Sequence, residues 1–190
     1  MKKAILGLAG LALVGLPAFA NAETWEIDNA HSSATFKVRH ILTKVTGIFE
    51  QISGSIVFDP ENPTAGSAEI TIPVSSINTR NEKRDGHLQS EDFFDEANHP
   101  NLTFKSTKFV QTDSGLQVEG ILNMRGVDKP VTLNVDYLGT MGGEVAGFSA
   151  STTVNRQDWG ISWNKALDEG TILGDQVEVQ IDLEVRKKEA

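Results

Sequence analysis

From Val177 to Arg186 the residues Val177, Val179, Ile181, Leu183 and Val185 alternate without a break with Glu178, Gln180, Asp182, Glu184 and Arg186. A period of two puts every apolar side chain on one side only in an extended chain, so this stretch is a β-strand with one dry and one wet face. The pattern recurs in Val131, Leu133, Val135 and Tyr137, in Ile70, Ile72 and Val74, and in Leu116, Val118, Leu122 and Met124. Ala34, Phe36 and Val38 alternate with Thr35, Lys37 and Arg39, which puts His40 on the inward phase. Residues 48–59 make another long strand, bent or bulged near Ser53-Gly54 where the alternation changes phase. Pro73 predicts an edge or a bulge, and Gly120 either opens space or lets another backbone approach in the middle of its face.

Turn chemistry separates these runs at Pro60-Glu61-Asn62-Pro63, Asp113-Ser114-Gly115, Arg125-Gly126-Val127-Asp128 and Met141-Gly142-Gly143. Links this short imply antiparallel neighbours. With residues 25–28, 104–111 and 145–154 added, the count is eight or nine strands. An antiparallel sheet of that size with one apolar face closes into a barrel or folds into a sandwich, and the pattern is compatible with both. An eight-stranded barrel is wide enough to hold a small ligand.

Residues 79–104 interrupt the alternation. Thr79 is followed by Glu82 at the spacing of a reciprocal helix N-cap. The helix expected there is polar nearly all round, with Leu88 its main apolar residue, so it needs pinning at its ends by Phe93, Phe94, Leu102 and Phe104. On a barrel, such an insertion reads as a cover at the mouth. Its basic residues Arg80, Lys83 and Arg84 stand among Glu82 and Asp85, and helix-surface ion pairing is the expected use of them. An arginine gripping an anionic head group is the sharper alternative.

The chain opens with Met1-Lys2-Lys3, an uncharged apolar run over residues 4–16, and Ala20-Asn21-Ala22. This is the pattern of a cleaved export signal over residues 1–22. Thirteen residues of helix rise only ~20 Å, short of the roughly 30 Å hydrocarbon core. A single domain over 23–190 and a periplasmic location follow as expectations. The absence of cysteine excludes thiol catalysis, thiolate metal sites and a lipidated leader. Loss of Lys2 and Lys3 takes the formal charge from −9 to −11. Nucleic acid is a poor partner for such a chain, and membrane contact is confined to transient or locally apolar encounters.

His31, His40, His87 and His99 form no closely spaced pair, so no metal site is expected; His31 reads as a turn residue and His87 as a hydrogen-bonded member of the helix. Gly147-Phe148-Ser149-Ala150-Ser151 lacks the closing glycine of a nucleophile elbow and lies in a strand pattern. The carboxylates sit on wet faces or in turns. No catalytic residue and no cofactor are expected. The aromatics of the strands and of residues 155–173 serve either as core or as the lining of a tunnel suited to a long hydrocarbon.

Several segments in order and spacing carry a family resemblance. They are Asp28-Asn29-Ala30-His31-Ser32 leading to Phe36-Lys37-Val38-Arg39-His40, Gly47-Ile48-Phe49, Gly54-Ser55-Ile56-Val57-Phe58-Asp59 and Arg84-Asp85-Gly86-His87-Leu88. Asp92-Phe93-Phe94-Asp95 with His99-Pro100, Gly120-Ile121-Leu122-Asn123-Met124-Arg125-Gly126-Val127-Asp128-Lys129-Pro130-Val131, and Asn155-Arg156-Gln157-Asp158-Trp159-Gly160 complete the set. Together they resemble the YceI-like polyisoprenoid-binding family. The resemblance implies an all-β, eight-stranded antiparallel lipocalin-like barrel with one short helical insertion. It also implies a non-enzymatic periplasmic carrier for an amphiphilic isoprenoid lipid, such as a prenyl phosphate or isoprenoid quinone. The residues expected against such a ligand are Phe36, Val38, His40, Phe49, Arg84, Phe93, Phe94, Phe104, Leu122, Phe148, Trp159 and Trp163. The alternative expectation is a stress-related interaction module with a packed core and no lipid, distinguished by whether the barrel is hollow.

Overall fold

The computed structural model describes residues 22–188 apart from 165, 168 and 169, with backbone only at 166, 167, 170 and 171. The expected export signal, save Ala22, lies outside the described residues. The strands are β1 (Glu23–Ile27), β2 (Ser33–His40), β3 (Thr43–Phe49), β4 (Ser53–Phe58), β5 (Ser67–Pro73), β6 (Ile77–Asn78) and β7 (Asn101–Thr112). They continue with β8 (Gly115–Met124), β9 (Val127–Met141), β10 (Val145–Asn155), the short β11 (Ala166–Leu167) and β12 (Gly170–Thr171), and β13 (Leu173–Lys187). One α-helix, α1 (Glu82–Gln89), stands between β6 and β7.

These strands make eight staves of a closed antiparallel barrel. The first three staves are each broken once, into β1 and β2, β3 and β4, and β5 and β6; β7, β8, β9, β10 and β13 supply the other five. Each stave pairs with the next in sequence, and β13 closes the ring. Along one edge β13 pairs with β10 from Val145↔Arg186 to Asn155↔Gln176. Along the other it pairs with β2 at its beginning (Leu173↔His40) and with β1 at its end (Ile27↔Val185). The period-two segment first read in the sequence is therefore the closing strand, and closure settles the choice between barrel and sandwich.

The three breaks lie side by side and satisfy one another's backbone groups. In the first, Asp28 caps a 3-10 turn at Asn29–His31, its Oδ1 accepting from the Ala30 N–H at 3.0 Å. The Asn29 side chain then accepts the Ile52 N–H of the second break at 2.7 Å. In turn the Glu50 N–H donates to the Ser76 carbonyl of the third at 3.0 Å. Ile52 and Val74, each about 1% exposed, plug this belt from inside. The bend expected at Ser53-Gly54 lies just before it, at 50–52. Gly54 follows with φ +141, where an added Cβ would stand 2.0 Å from the Glu69 carbonyl oxygen.

Two local expectations are corrected and one is met. Pro73 lies in an interior stave, as the last residue of β5 opposite Asn101, where a missing N–H costs nothing because the stave breaks there. Gly120 is as expected: a Cβ there would meet the Phe104 ring at 2.3 Å and the Lys105 carbonyl oxygen at 2.7 Å. The helix is capped by Asn81, whose side chain accepts from the Arg84 N–H at 3.0 Å. Thr79 is buried instead, its N–H and hydroxyl both donating to Asp85 Oδ1 at 2.9 and 2.5 Å.

The barrel seam carries a charged clasp. Arg186 Nε donates to Asp28 Oδ2 at 2.7 Å, and the Glu184 carbonyl accepts from the Asp28 N–H at 2.9 Å. The guanidinium, then His31, holds the Asp28 carboxyl down at about 2, against an ordinary 3.8. A depressed carboxyl stabilises the fold above its unfolded value, and the contribution disappears as pH falls through the folded value. Urea midpoints measured for wild type and Asp28→Asn should therefore converge, with most of the change between pH 4 and 2. Gly54→Ala should cost more than about 2 kcal/mol by the same assay, because the backbone itself blocks the methyl. Gly86→Ala, in α1 with nothing near its Cβ position, should raise stability by about 0.5–1 kcal/mol.

Candidate functional site

The two halves of the barrel interior are built differently. Toward the end where β13 finishes, Phe58, Tyr137 and Phe148 meet with ring centroids 5.1–5.3 Å apart. Trp25, Phe109 and Val185 are buried with them in the same core. Contacts of this kind fill the lumen and form a floor.

Toward the other end the lumen is open, with a cavity of about 300 Å³. Two glycines explain the space. An added Cβ on Gly47 would lie 2.2 Å from Cζ of Phe36, its cross-strand partner, and one on Gly120 would lie 2.3 Å from Cζ of Phe104. Both rings lean over a neighbouring strand that has no side chain there, and so lie along the wall instead of across the lumen. Small or short residues at Ala34 and Thr152 widen the same half.

The roof comes from two segments. In the first, β6 pairs only with Ile48 and Phe49, so the stave stops short of the β3 residues nearer the mouth. Residues 79–100 cross that gap. Thr79 anchors them: its hydroxyl and carbonyl accept from Arg84 Nε at 2.6 Å and Nη2 at 2.7 Å. Phe94 meets Phe49 at 5.8 Å, and Phe93 meets His87 at 5.0 Å and Trp163 at 5.3 Å. His87 also bonds Asp92 at 2.8 Å.

The second segment follows β10 and is stapled by Arg156, a guanidinium about 4% exposed. It donates to the carbonyls of Gly174 (2.9 Å), Ile161 (2.6 Å) and Trp163 (2.9 Å), and to the Asp175 carboxylate at 3.0 Å. Burial pushes its pKa below the ordinary arginine value, and Asp175 opposes that shift. Trp159 Nε1 donates to the Leu122 carbonyl at 3.1 Å, and Arg125 to that of Gly160 at 2.9 Å, which ties this roof to β8 and the turn after it.

Ten of the expected residues line the cavity: Phe36, Val38, His40, Phe49, Arg84, Phe93, Phe94, Phe104, Leu122 and Trp163. Phe148 lies in the floor instead, and Trp159 is buried in the roof's attachment to β8. Lining residues outside the set expected against a ligand include Ile72, Leu102, Val131, Val179 and Arg156. The four aliphatics share the inward phase of their strands, which was the available signal. Arg156 continues the phase of Ala150, Thr152 and Val154, but a charged residue at a strand end reads as solvated.

The ion pairing expected for the helix is also corrected. Among the described residues no carboxylate lies within 4.0 Å of the side-chain nitrogens of Arg80, Lys83 or Arg84. Arg84 is thus a half-buried cation at an apolar cavity, held only by hydroxyl and carbonyl groups of Thr79. Asp28, His31 and Glu184 converge elsewhere, on the outside of the seam, where Arg186 already supplies their positive partner. Ser149 donates to the Asp182 carboxylate at 2.8 Å and accepts from the Gln180 amide at 2.8 Å, both across the sheet surface. Among the described residues no helix is long and apolar enough to cross a membrane.

Comparison with known proteins agrees with this architecture. The model of the YceI-like domain matches residues 25–185. Protein YceI of Escherichia coli O17:K52:H18 is 34% identical over 168 residues, covering 85% of this chain and 88% of that protein. Burkholderia cenocepacia BcnA shares the fold with a TM-score of 0.74 at 24% identity, over 83% of this chain and 98% of that one. A structure described as a polyisoprenoid binding domain from Saccharophagus degradans, implicated in plant cell wall breakdown, shares it at TM-score 0.65 and 18% identity, over 88% and 100%. Since the family match runs from the first strand of the barrel to its closing strand, this chain belongs to the YceI-like domain family.

Proposed function

We propose that the protein is a non-enzymatic periplasmic carrier that holds the hydrocarbon of an isoprenoid lipid, a prenyl phosphate or isoprenoid quinone, in the mouth half of the barrel. The observation that carries this reading is the cavity itself: about 300 Å³, walled by aliphatic and aromatic side chains, closed below by an aromatic floor, with Arg84 at its roof. A barrel serving only as an interaction module has no need of that hollow. The Saccharophagus degradans domain, which bears the polyisoprenoid-binding description, supports the choice of lipid class through its fold. The expected leader supports the compartment.

The geometry favours loading from one end. The cavity lies at the small end of the ~300–1,000 Å³ range for ligand sites, so a long tail folds within it or extends through the mouth. A forty-carbon tail would gain about 30 kcal/mol on leaving water, at ~0.8 kcal/mol per carbon. The competing environment is a bilayer, so the net preference is far smaller. The chain and the roof must also be ordered, which offsets more of it. Phe93, Phe94 and Trp163 form the movable cover in this scheme, with Arg84 facing the head group.

Native mass spectrometry of delipidated protein after exposure to vesicles carrying a prenyl phosphate tests this. One lipid per chain is expected. Protein that leaves the periplasm empty and takes up no prenyl lipid would end the carrier reading. Gly47→Ala should drive the Phe36 ring into the lumen and reduce uptake by about tenfold or more while the barrel stays folded, since overpacking costs ~1–3 kcal/mol. Arg84→Met should weaken binding of a prenyl phosphate about ten- to a hundredfold more than that of the uncharged prenol, the worth of a charged hydrogen bond, while the prenol reports the loosening of the roof at Thr79. Equal loss for both would remove Arg84 from the head group.

A further inference from the structure

The rim of the mouth carries a feature that lipid storage does not use. His40 and Thr43 pair across a two-residue turn made of Ile41 and Leu42. The first position of such a turn favours glycine when φ is positive, yet here it is Ile41 at φ +54, a β-branched residue in a region it rarely enters. Leu42 beside it is 93% exposed. Two large apolar side chains are therefore held out in water at a strained position, next to His40 and Val45, which line the cavity.

Their surroundings identify a partner. On the wet phase of the same hairpin stand Lys37, Arg39 and Lys44, and no acidic residue occurs between positions 37 and 44 of a chain whose net charge is −9. Arg39 and Lys44 are cross-strand neighbours. Glu178 on β13 opposes part of this charge by pairing with Lys44, and Asp175 on the same strand is occupied by Arg156. Among the described residues the other exposed apolar pair, Leu138 and Met141, lies at the floor end, where Asp136 and Glu144 stand nearby and the basic residues Arg186 and Lys187 of β13 are already paired with Asp28 and Glu23. An apolar tip with a basic collar matches an anionic lipid surface, whose acyl region takes the tip and whose phosphates meet the collar.

We infer that the β2–β3 hairpin docks the barrel on an anionic bilayer, seating Ile41 and Leu42 among the lipids so that the cavity mouth opens at the membrane. This extends the carrier reading but is measured separately, with ligand-free protein and vesicles that contain no isoprenoid. In flotation with phosphatidylethanolamine–phosphatidylglycerol vesicles, wild-type protein should bind, and raised salt should release much of it. Phosphatidylcholine vesicles should bind it weakly. Leu42→Glu should cut binding about tenfold, as should joint replacement of Lys37 and Arg39 by glutamate, while Leu138→Glu at the floor end should bind as wild type does. All three variants alter exposed side chains, and circular dichroism checks that each is folded. Wild-type protein that ignores anionic vesicles, or equal binding by Leu42→Glu, overturns the inference. So does a dimer in sedimentation velocity that Leu42→Glu dissolves, which would assign the tip to a second copy of the chain. Normal prenyl uptake from detergent by Leu42→Glu would show that docking and binding are separate properties; loss of that uptake would overturn the assignment of the tip to docking.

Discussion

The barrel depends on β13 being paired along both edges. Its 15 residues run beside β10 on one side and beside β1 and β2 on the other, and this double pairing turns an open meander into a ring. Closure removes the exposed sheet edges that an antiparallel sheet of this size would otherwise present. It also gives the inward phase of every strand the same lumen to face. The clasp of Asp28, Glu184 and Arg186 secures the point where β13 changes partner from one half of the first stave to the other.

A ring of eight strands is narrow enough to be filled by side chains, so a hollow has to be made. Here it is made by asymmetry between the two ends. At one end Phe58, Tyr137 and Phe148 cross the lumen and touch. At the other, Phe36 and Phe104 lean onto Gly47 and Gly120 and leave the centre free. The belt of breaks in the first three staves complements this. It ends the third stave early and so opens the gap that residues 79–100 roof over. Floor, hollow and roof thus follow from where aromatic residues meet aromatic residues and where they meet glycine. The roof is held largely by polar contacts, Arg84 with Thr79 on one side and Arg156 with three carbonyls on the other. Hydrogen bonds of that kind attach the cover through polar groups of Arg84 and Arg156, and most of the remaining cavity lining is aromatic or aliphatic.

Much of this was legible in the residues. Each inward phase named from periodicity belongs to a barrel strand, because the strand period depends only on the backbone and one dry face. Phe93 and Phe94 do pin the insertion, Phe94 against Phe49 and Phe93 against His87 and Trp163, alongside the polar contacts at Thr79. The finer errors share a cause. Thr79 has the spacing of a cap but is buried against Asp85, and Asn81 caps instead, because capping depends on which side chain the entering chain leaves free to turn back. Arg84 stands among acids in sequence, yet α1 turns it toward Thr79 and the cavity. Phe148 and Trp159 are aromatic and inward, as a lining residue would be, and only their height along the barrel sets them apart.

The sequence alone determined the secondary structure class, the inward face of the strands, the presence of one polar insertion and the family resemblance, since each is a property of order and spacing along the chain. Closure, the height of each ring in the lumen, the glycine positions that draw Phe36 and Phe104 aside, and the exposure of Leu42 at the rim were decided by tertiary structure. They rest on contacts between residues far apart in the chain: a period of two says which side of a strand is dry, but not what stands across from it.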